Sequence, residues 1–169
     1  TEGFHPHPRL QLGAALPLGF ISDCELVDIW LERNVPMDEL RSSLEKAVPP
    51  GIRLLSLDPV ELRAPALQTQ VAAAEYEATL TEPAPDLTSR LVAVLEAASL
   101  PRERRGKPYD LRPLIESLEA APAEGSGKMR LFMRLSARAG ATGRPEEVLS
   151  ALGIPPESAR VERNRLIFQ

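Results

Sequence analysis

The chain has 169 residues, of which 43% are hydrophobic, 26% are charged and 4% are aromatic, so its core is expected to consist of Leu, Val, Ile and Ala. It has no run of about 18 apolar residues and no signal-peptide pattern, which argues against a membrane-spanning or exported protein and predicts a cytoplasmic one. The single cysteine, Cys24, excludes an internal disulfide and any metal site made of cysteines alone.

Charge is distributed unevenly along the chain, whose net charge is −4. Residues 1–100 hold 7 basic and 15 acidic residues, whereas residues 101–169 hold 13 basic and 9 acidic ones. The excess of cations favours an anionic partner for the second half, although a charged run is often only a solvated face.

Residues 1–66 are predicted to form a first unit in the order strand, strand, helix, strand. In the strand 24–32, Val27, Ile29 and Leu31 share one face, and apolar residues recur at helical spacing in the helix. Pro49, Pro50 and Gly51 end that helix. The predicted strands are 9–18, 24–32 and 52–57, and the predicted helix is 38–48. Cys24 opens an apolar run and is expected to be a small buried side chain.

Residues 72–169 are predicted to form a second unit in the order β-α-β-β-α-β, which is that of a ferredoxin-like fold. The predicted strands are 74–81, 102–109, 128–138 and 160–168. One helix begins at Asp86 or Thr88 and another follows Arg144, and an extra short helix capped by Asp110 would carry Leu114, Ile115 and Leu118. Residues 63–72 show neither the two-residue period of a strand nor the 3.6-residue period of a helix, and are predicted to be a linker.

The fold class predicted from these elements is α+β, with two tandem ferredoxin-like units that have antiparallel sheets. The first unit lacks the opening strand and helix of the template. Because Thr1 is not an initiator methionine, we expect the chain to begin inside a longer gene product.

Five motifs resemble one bacterial family. They are EGFHPHPR at residues 2–9, AALPLG at 14–19, ELVDI at 25–29, DLRP at 110–113 and RPEEVL at 144–149. Together they resemble the radical-SAM-linked domain of unknown function, whose members are fused to a radical SAM protein or encoded beside one. Such genes often lie near those for ribonuclease E/G and ribosomal proteins, and the proteins usually have a strand and a helix before the GFHP motif.

The resemblance implies an accessory module whose partner is a radical SAM protein, either fused or on a separate chain, and whose substrate is RNA or ribosome-related. It implies no cofactor in this chain, because the three cysteines of the radical chemistry belong to the separate enzyme domain.

The first candidate site is the histidine-proline loop, which includes Phe4, His5, His7 and Arg9. His5 and His7 are the only two histidines; they would point the same way in an extended strand but diverge by about 120° in the polyproline conformation. The loop is therefore a structural element, a contact for a substrate or partner, or half of a metal site, and no third ligand is evident. No metal site is predicted.

The second candidate is a strand face where one aromatic side chain lies between cations, as on single-stranded RNA platforms. It carries Lys128, Arg130, Phe132, Arg134 and Arg138. In a ferredoxin-like sheet the first and third strands are neighbours, so Glu75 and Glu77 could instead neutralise this face. The third candidate is a group of five cations suited to phosphate contacts. They are Arg102, Arg104, Arg105, Lys107 and Arg112.

No catalytic triad, Cys-His pair or carboxylate pair can be defended from spacing, so we expect no enzymatic activity of the chain on its own. The expected function is to position an RNA or ribosome-related substrate for a radical SAM partner. Two alternatives stay open: a metal-assisted hydrolase or nuclease that uses His5 and His7, and a purely structural docking domain. Basic residues converging on one cleft would favour substrate binding, and an exposed apolar groove would favour docking.

Overall fold

The computed structural model describes residues 9–123, 125 and 127–169, and in these residues the α+β class is confirmed. The first elements along the chain are β1 (Leu10–Leu12), β2 (Ile21–Ser22), β3 (Val27–Ile29), α1 (Met37–Ala47) and α2 (Leu67–Gln70). They are followed by β4 (Val71–Leu80), α3 (Leu87–Glu96), β5 (Pro101–Arg104), β6 (Lys107–Asp110), β7 (Ile115–Pro122), β8 (Met129–Arg138), β9 (Ala141–Thr142), α4 (Pro145–Ala151) and β10 (Ala159–Phe168).

A mixed sheet organises the second half of the chain. Its strand order is β2-β10-β4-β8-β7, and β9 pairs with the end of β8. The four long strands are antiparallel to their neighbours, while β2 adds to β10 in parallel. Along the chain, β4, α3, β7, β8, α4 and β10 follow the β-α-β-β-α-β order predicted for residues 72–169.

The hydrophobic core lies on one face of this sheet. In β4 the side chains of Tyr76, Ala78 and Leu80 are buried, whereas those of Glu75 and Glu77 lie on the opposite face, as the two-residue period of a strand requires. Helices α3 and α4 cover the buried face. Full burial of a core Leu or Val side chain stabilises the fold by about 1.5–3 kcal/mol. The buried helix residues in this core are Leu87, Leu91, Val94, Val148 and Leu149.

The predicted tandem of ferredoxin-like units is not confirmed, because the first half departs from it. Strands β1 and β3 form a separate two-stranded sheet, and β2 joins the main sheet. The predicted strands 9–18 and 24–32 are reduced to three residues each, and residues 52–57 form no strand. Within residues 9–66 only Gly13 is buried, so this region has no core against which longer strands could pack.

A second correction concerns residues 101–122. The single strand predicted at 102–109 is the hairpin β5–β6, and the short helix predicted after Asp110 is a 3-10 turn, Arg112–Leu114, followed by β7. Residues Arg105 and Gly106 between the hairpin strands have φ angles of 53° and 74°. Two successive residues with positive φ form the tight turn that joins antiparallel strands.

Candidate partner-binding surfaces

Of the predicted histidine-proline loop, Phe4, His5 and His7 lie outside the described residues, while Arg9 is described. The guanidinium carbon of Arg9 lies 4.2 Å from the centroid of the Trp30 ring. The backbone N–H of Trp30 also donates to the carbonyl of Arg9 at 3.2 Å. Arg9 is thus stacked on Trp30 beside the β1–β3 sheet, an arrangement that stabilises exposed sites by about 0.5–1 kcal/mol.

The predicted group of five cations is divided by the structure, and two members anchor the hairpin. Arg102 lies 3.9 Å from the carboxylate of Glu147 in α4. Arg104 lies over the ring of Tyr109 at 5.0 Å and donates to the carbonyl of Thr142 at 3.4 Å. These contacts hold the β5–β6 hairpin against α4 and β9.

The side chain of Arg112 bonds to backbone carbonyls of two neighbouring elements. Its Nε donates to the carbonyl of Leu95 at 3.0 Å and its Nη1 to the carbonyl of Ile115 at 3.1 Å, which joins the end of α3 to the start of β7. The carboxylate of Asp110 accepts hydrogen bonds from the backbone N–H groups of Leu100 and Arg112 at 2.7 and 3.0 Å, and these bonds lower the pKa of Asp110. The geometry therefore favours a structural role for Arg112 over a phosphate contact.

The turn of the hairpin keeps its positive charge available. Arg105 and Lys107 are both exposed, and neither forms a salt bridge within residues 9–123, 125 and 127–169. The part of the predicted group that is open to an anion is therefore the hairpin tip, defined here as residues 105–107.

Carboxylates neutralise the cations of the strand face that carries Arg130 and Arg134. This agrees with the alternative interpretation of that face, in which glutamates on the neighbouring strand pair with the arginines. Arg130 Nη1 lies 3.2 Å from Glu77, and Arg134 lies 2.8 Å from Glu116 and 3.9 Å from Glu75. Opposite charges on neighbouring strands stabilise a sheet by about 0.2–1 kcal/mol per pair.

The row that contains Phe132 is acidic. Phe132 on β8 lies opposite Glu77 on β4 and Glu119 on β7, and Glu77 in turn lies opposite Glu162 on β10. A nucleotide stacked on Phe132 would bring its phosphates close to three carboxylates. This face therefore does not favour the RNA platform predicted from the strand pattern.

The described ranges contain no group of three or more His, Cys, Asp or Glu residues placed to hold a metal ion. Over the same ranges, no helix is both long and apolar enough to cross a membrane.

Arg163 is not among the site residues predicted from sequence, yet its residue surface is only 1% exposed. Its Nη1 donates to both carboxylate oxygens of Glu25 at 2.9 and 3.0 Å, and its Nε to the hydroxyl of Tyr76 at 3.3 Å. The sequence does carry a signal, because Arg163 follows the buried Val161 by two residues in β10 and so faces the core. Its partner Glu25 could not be inferred, since 138 residues separate the two.

An uncovered apolar surface lies in the first half. Twelve large hydrophobic side chains between residues 10 and 62 are exposed, against two, Val92 and Phe168, in the rest of the described chain. Leu18 is 103% exposed and Leu62 is 84% exposed. We call these twelve residues the N-terminal apolar surface; they are Leu10, Leu12, Leu18, Ile21, Leu26, Val27, Leu31, Met37, Ile52, Leu55, Val60 and Leu62.

Comparison with known proteins identifies a family and nothing more specific. Residues 1–145 match the model of a family described as an uncharacterized protein conserved in bacteria, DUF2344. No curated protein and no solved structure matches significantly. The family match includes the N-terminal apolar surface and the β5–β6 hairpin and ends at the first residue of α4. Because it covers well over half of the chain, the chain belongs to this uncharacterized bacterial family.

Proposed function

We propose that the chain is an accessory module, without catalysis of its own, that binds a partner protein through the N-terminal apolar surface. The observation that carries this proposal is the exposure of twelve large hydrophobic side chains between Leu10 and Leu62. Large apolar side chains exposed in such number are typical of protein interfaces, because their exposure to water is unfavourable.

The local structure supports the proposal. Helix α1 has an apolar side with Leu40 and Leu44, yet none of its residues is buried. Strands β1 and β3 form a sheet of two strands, which is at best marginally stable without further packing. A partner that covers α1 and this sheet would supply the packing that the described residues lack.

The partner that we propose is a radical SAM protein, fused or on a separate chain, as the sequence resemblance implies. Residues 1–66 hold ten acidic and six basic residues, so the complementary rim on the partner would be basic. In this proposal the module acts in the cytoplasm and positions an RNA or ribosome-related substrate for the partner. Among the predicted cationic sites, the hairpin tip has the geometry best suited to contact such an anion.

Co-purification tests the proposal. The radical SAM protein encoded with the module would be expressed together with the parent chain or with a variant, and any retained nucleic acid would be identified. Leu18→Asp and Leu62→Asp place charges on two highly exposed positions of the N-terminal apolar surface and should weaken complex formation by about tenfold or more. Val92→Asp, on the exposed side of α3, is the matched control and should leave the complex intact. Equal complex formation by all three variants would contradict the proposal.

A further inference from the structure

The attachment of residues 13–25 to the main sheet converges on Arg163. Besides the ion pair with Glu25, Arg163 Nη2 donates to the carbonyl of Ala15 at 2.6 Å, and Nη1 approaches the carbonyl of Ala14 at 3.3 Å. All of these partners lie on one short segment of the first half. The two Nη atoms of Arg163 thus donate to acceptors that the first half provides, while its Nε donates to Tyr76 of β4.

The backbone of Arg163 makes contacts to the same segment. Its carbonyl accepts a hydrogen bond from the hydroxyl of Ser22 at 3.1 Å and a weaker one from the thiol of Cys24 at 3.5 Å. Arg163 is also opposite Ser22 in the parallel pairing of β2 with β10, which spans only two residue pairs. The side chain of Arg163, its backbone carbonyl and its place in the strand pairing therefore all attach the same segment to the sheet.

Apolar packing adds little to this attachment. In residues 9–66, only the side chains of Ala14, Phe20 and Cys24 pack against the core cluster, and each is only partly buried. A buried guanidinium, in contrast, is strongly destabilising unless it is paired. Polar contacts at Arg163 are therefore the main interaction that holds this segment on the sheet.

We propose that Arg163 and Glu25 form a latch, such that opening the pair releases residues 10–29 from the sheet while the core of residues 71–168 stays folded. Release brings water to the guanidinium of Arg163, which removes the cost of leaving it buried and unpaired. The core does not depend on the released segment, because its buried residues come from β4, β7, β8, β10, α3, α4 and their connections. The latch thus sets the position of residues 10–29 relative to the sheet, whatever the module binds.

Cys24 is a built-in reporter for this motion. It is the only cysteine of the chain, it is half-buried, and its thiol contacts the carbonyl of Arg163. Release of the segment exposes the thiol fully, so labelling by a maleimide reagent under native conditions should become faster when the latch opens more often.

Two variants separate opening of the latch from a simple charge effect. Burial raises the pKa of the Cys24 thiol, Glu25 raises it further, and Arg163 lowers it. Through charge alone, Glu25→Gln would make Cys24 more reactive and Arg163→Met would make it less reactive. The latch predicts faster labelling in both variants, by about tenfold or more. Glu39→Gln in α1, which removes the same charge from an exposed position, should label at the parent rate.

Hydrogen exchange of the full chain completes the test. In Glu25→Gln, amides of β2 should exchange about tenfold or more faster than in the parent, while amides of β4 and β8 keep their protection. Slower or unchanged labelling in Arg163→Met would overturn the latch. So would an equal loss of protection in β2, β4 and β8, which would show that the two parts unfold together. If Arg163→Met does not fold, the exchange pattern of Glu25→Gln decides alone.

Discussion

Arg163 and Glu25, 138 residues apart along the chain, form an ion pair in which one guanidinium nitrogen lies 2.9 and 3.0 Å from the two carboxylate oxygens. The arginine side chain is 2% exposed and that of the glutamate 30%, so the pair joins a core position of β10 to a surface segment of the first half. Because the guanidinium is buried, each of its remaining hydrogen bonds contributes to stability.

Replacement of Tyr76 by Phe tests one of those bonds. The hydroxyl of Tyr76 accepts from Arg163 Nε at 3.3 Å, and its loss leaves a buried donor unpaired. We expect Tyr76→Phe to lower the free energy of unfolding by about 1–2 kcal/mol. Urea denaturation of the variant and the parent at neutral pH measures the difference, and equal stabilities would show that water or another acceptor replaces the hydroxyl.

The same tyrosine should make stability depend on alkaline pH. Burial raises the pKa of Tyr76 above its ordinary value, and Arg163 opposes this only in part. An unfolded tyrosine ionises at about pH 10. Above that pH the unfolded state loses a proton that the folded state retains, so the free energy of unfolding should fall as pH rises beyond about 10.

The control for this dependence is Tyr76→Phe itself. Between pH 8 and 10.5 its free energy of unfolding should fall less than that of the parent, because the titrating group is gone. Denaturation midpoints measured across this interval give the two slopes, and parallel slopes would exclude Tyr76 as the source.

Segments with an unbroken period were predictable from sequence. Strand β8 was predicted at 128–138 and spans Met129–Arg138. Its buried residues Leu131, Met133 and Leu135 recur at every second position, as the period of a strand requires. The cross-strand ion pairs were predictable for the same reason, because a ferredoxin-like sheet places these two strands side by side. They join Glu77 to Arg130 and Glu75 to Arg134.

Strand β7 was mistaken for a helix because its period is interrupted. A bulge between Ile115 and Ser117 shifts the register, so the buried side chains of Ile115 and Leu118 are three residues apart, which is a helical spacing. In the first half, the run 52–57 was predicted to be a strand, but these residues form no strand in the described structure. Pairing partners and long-range contacts such as that of Arg163 depend on the tertiary fold, which local patterns do not specify.

Arg112 and Arg138 should differ in their effect on stability. Arg112 joins two elements through carbonyls, and Arg112→Ala leaves those acceptors without partners, so a loss of about 1–3 kcal/mol is expected. Arg138 lies 3.6 Å from the carboxylate of Glu116 and has 54% of its side chain exposed, so Arg138→Ala should cost about 0–1 kcal/mol. Equal losses in thermal or urea denaturation would mean that the contacts of Arg112 are not structural.

If the module binds RNA, the hairpin tip should contribute. The double variant Arg105→Glu, Lys107→Glu should weaken binding of a single-stranded RNA oligonucleotide and reduce the slope of log affinity against log salt. Its effect should exceed that of substituting His5 or His7. The control Arg53→Glu, Arg63→Glu makes the same change in net charge in the first half. Equal weakening by both double variants would show a general charge effect rather than a contact at the tip.

Limited proteolysis should cut the chain between the predicted units. Arg63, Ala64 and Pro65 are exposed and lie before α2, whereas Val71 begins the central strand β4. Trypsin should therefore cut after Arg63 and leave a folded C-terminal fragment. Mass spectrometry of the early products identifies the site, and first cuts inside the long strands β4, β8 or β10 would argue against an independent second unit.

The proposal that the N-terminal apolar surface binds the partner is tested most directly by hydrogen exchange of the module alone and in complex with its radical SAM protein. We predict that complex formation slows exchange in residues 10–62, with the largest effect in α1 and in the β1–β3 sheet, and leaves β8 unchanged. Protection confined to the open face of β4 and β8, with no change in residues 10–62, would contradict the proposal.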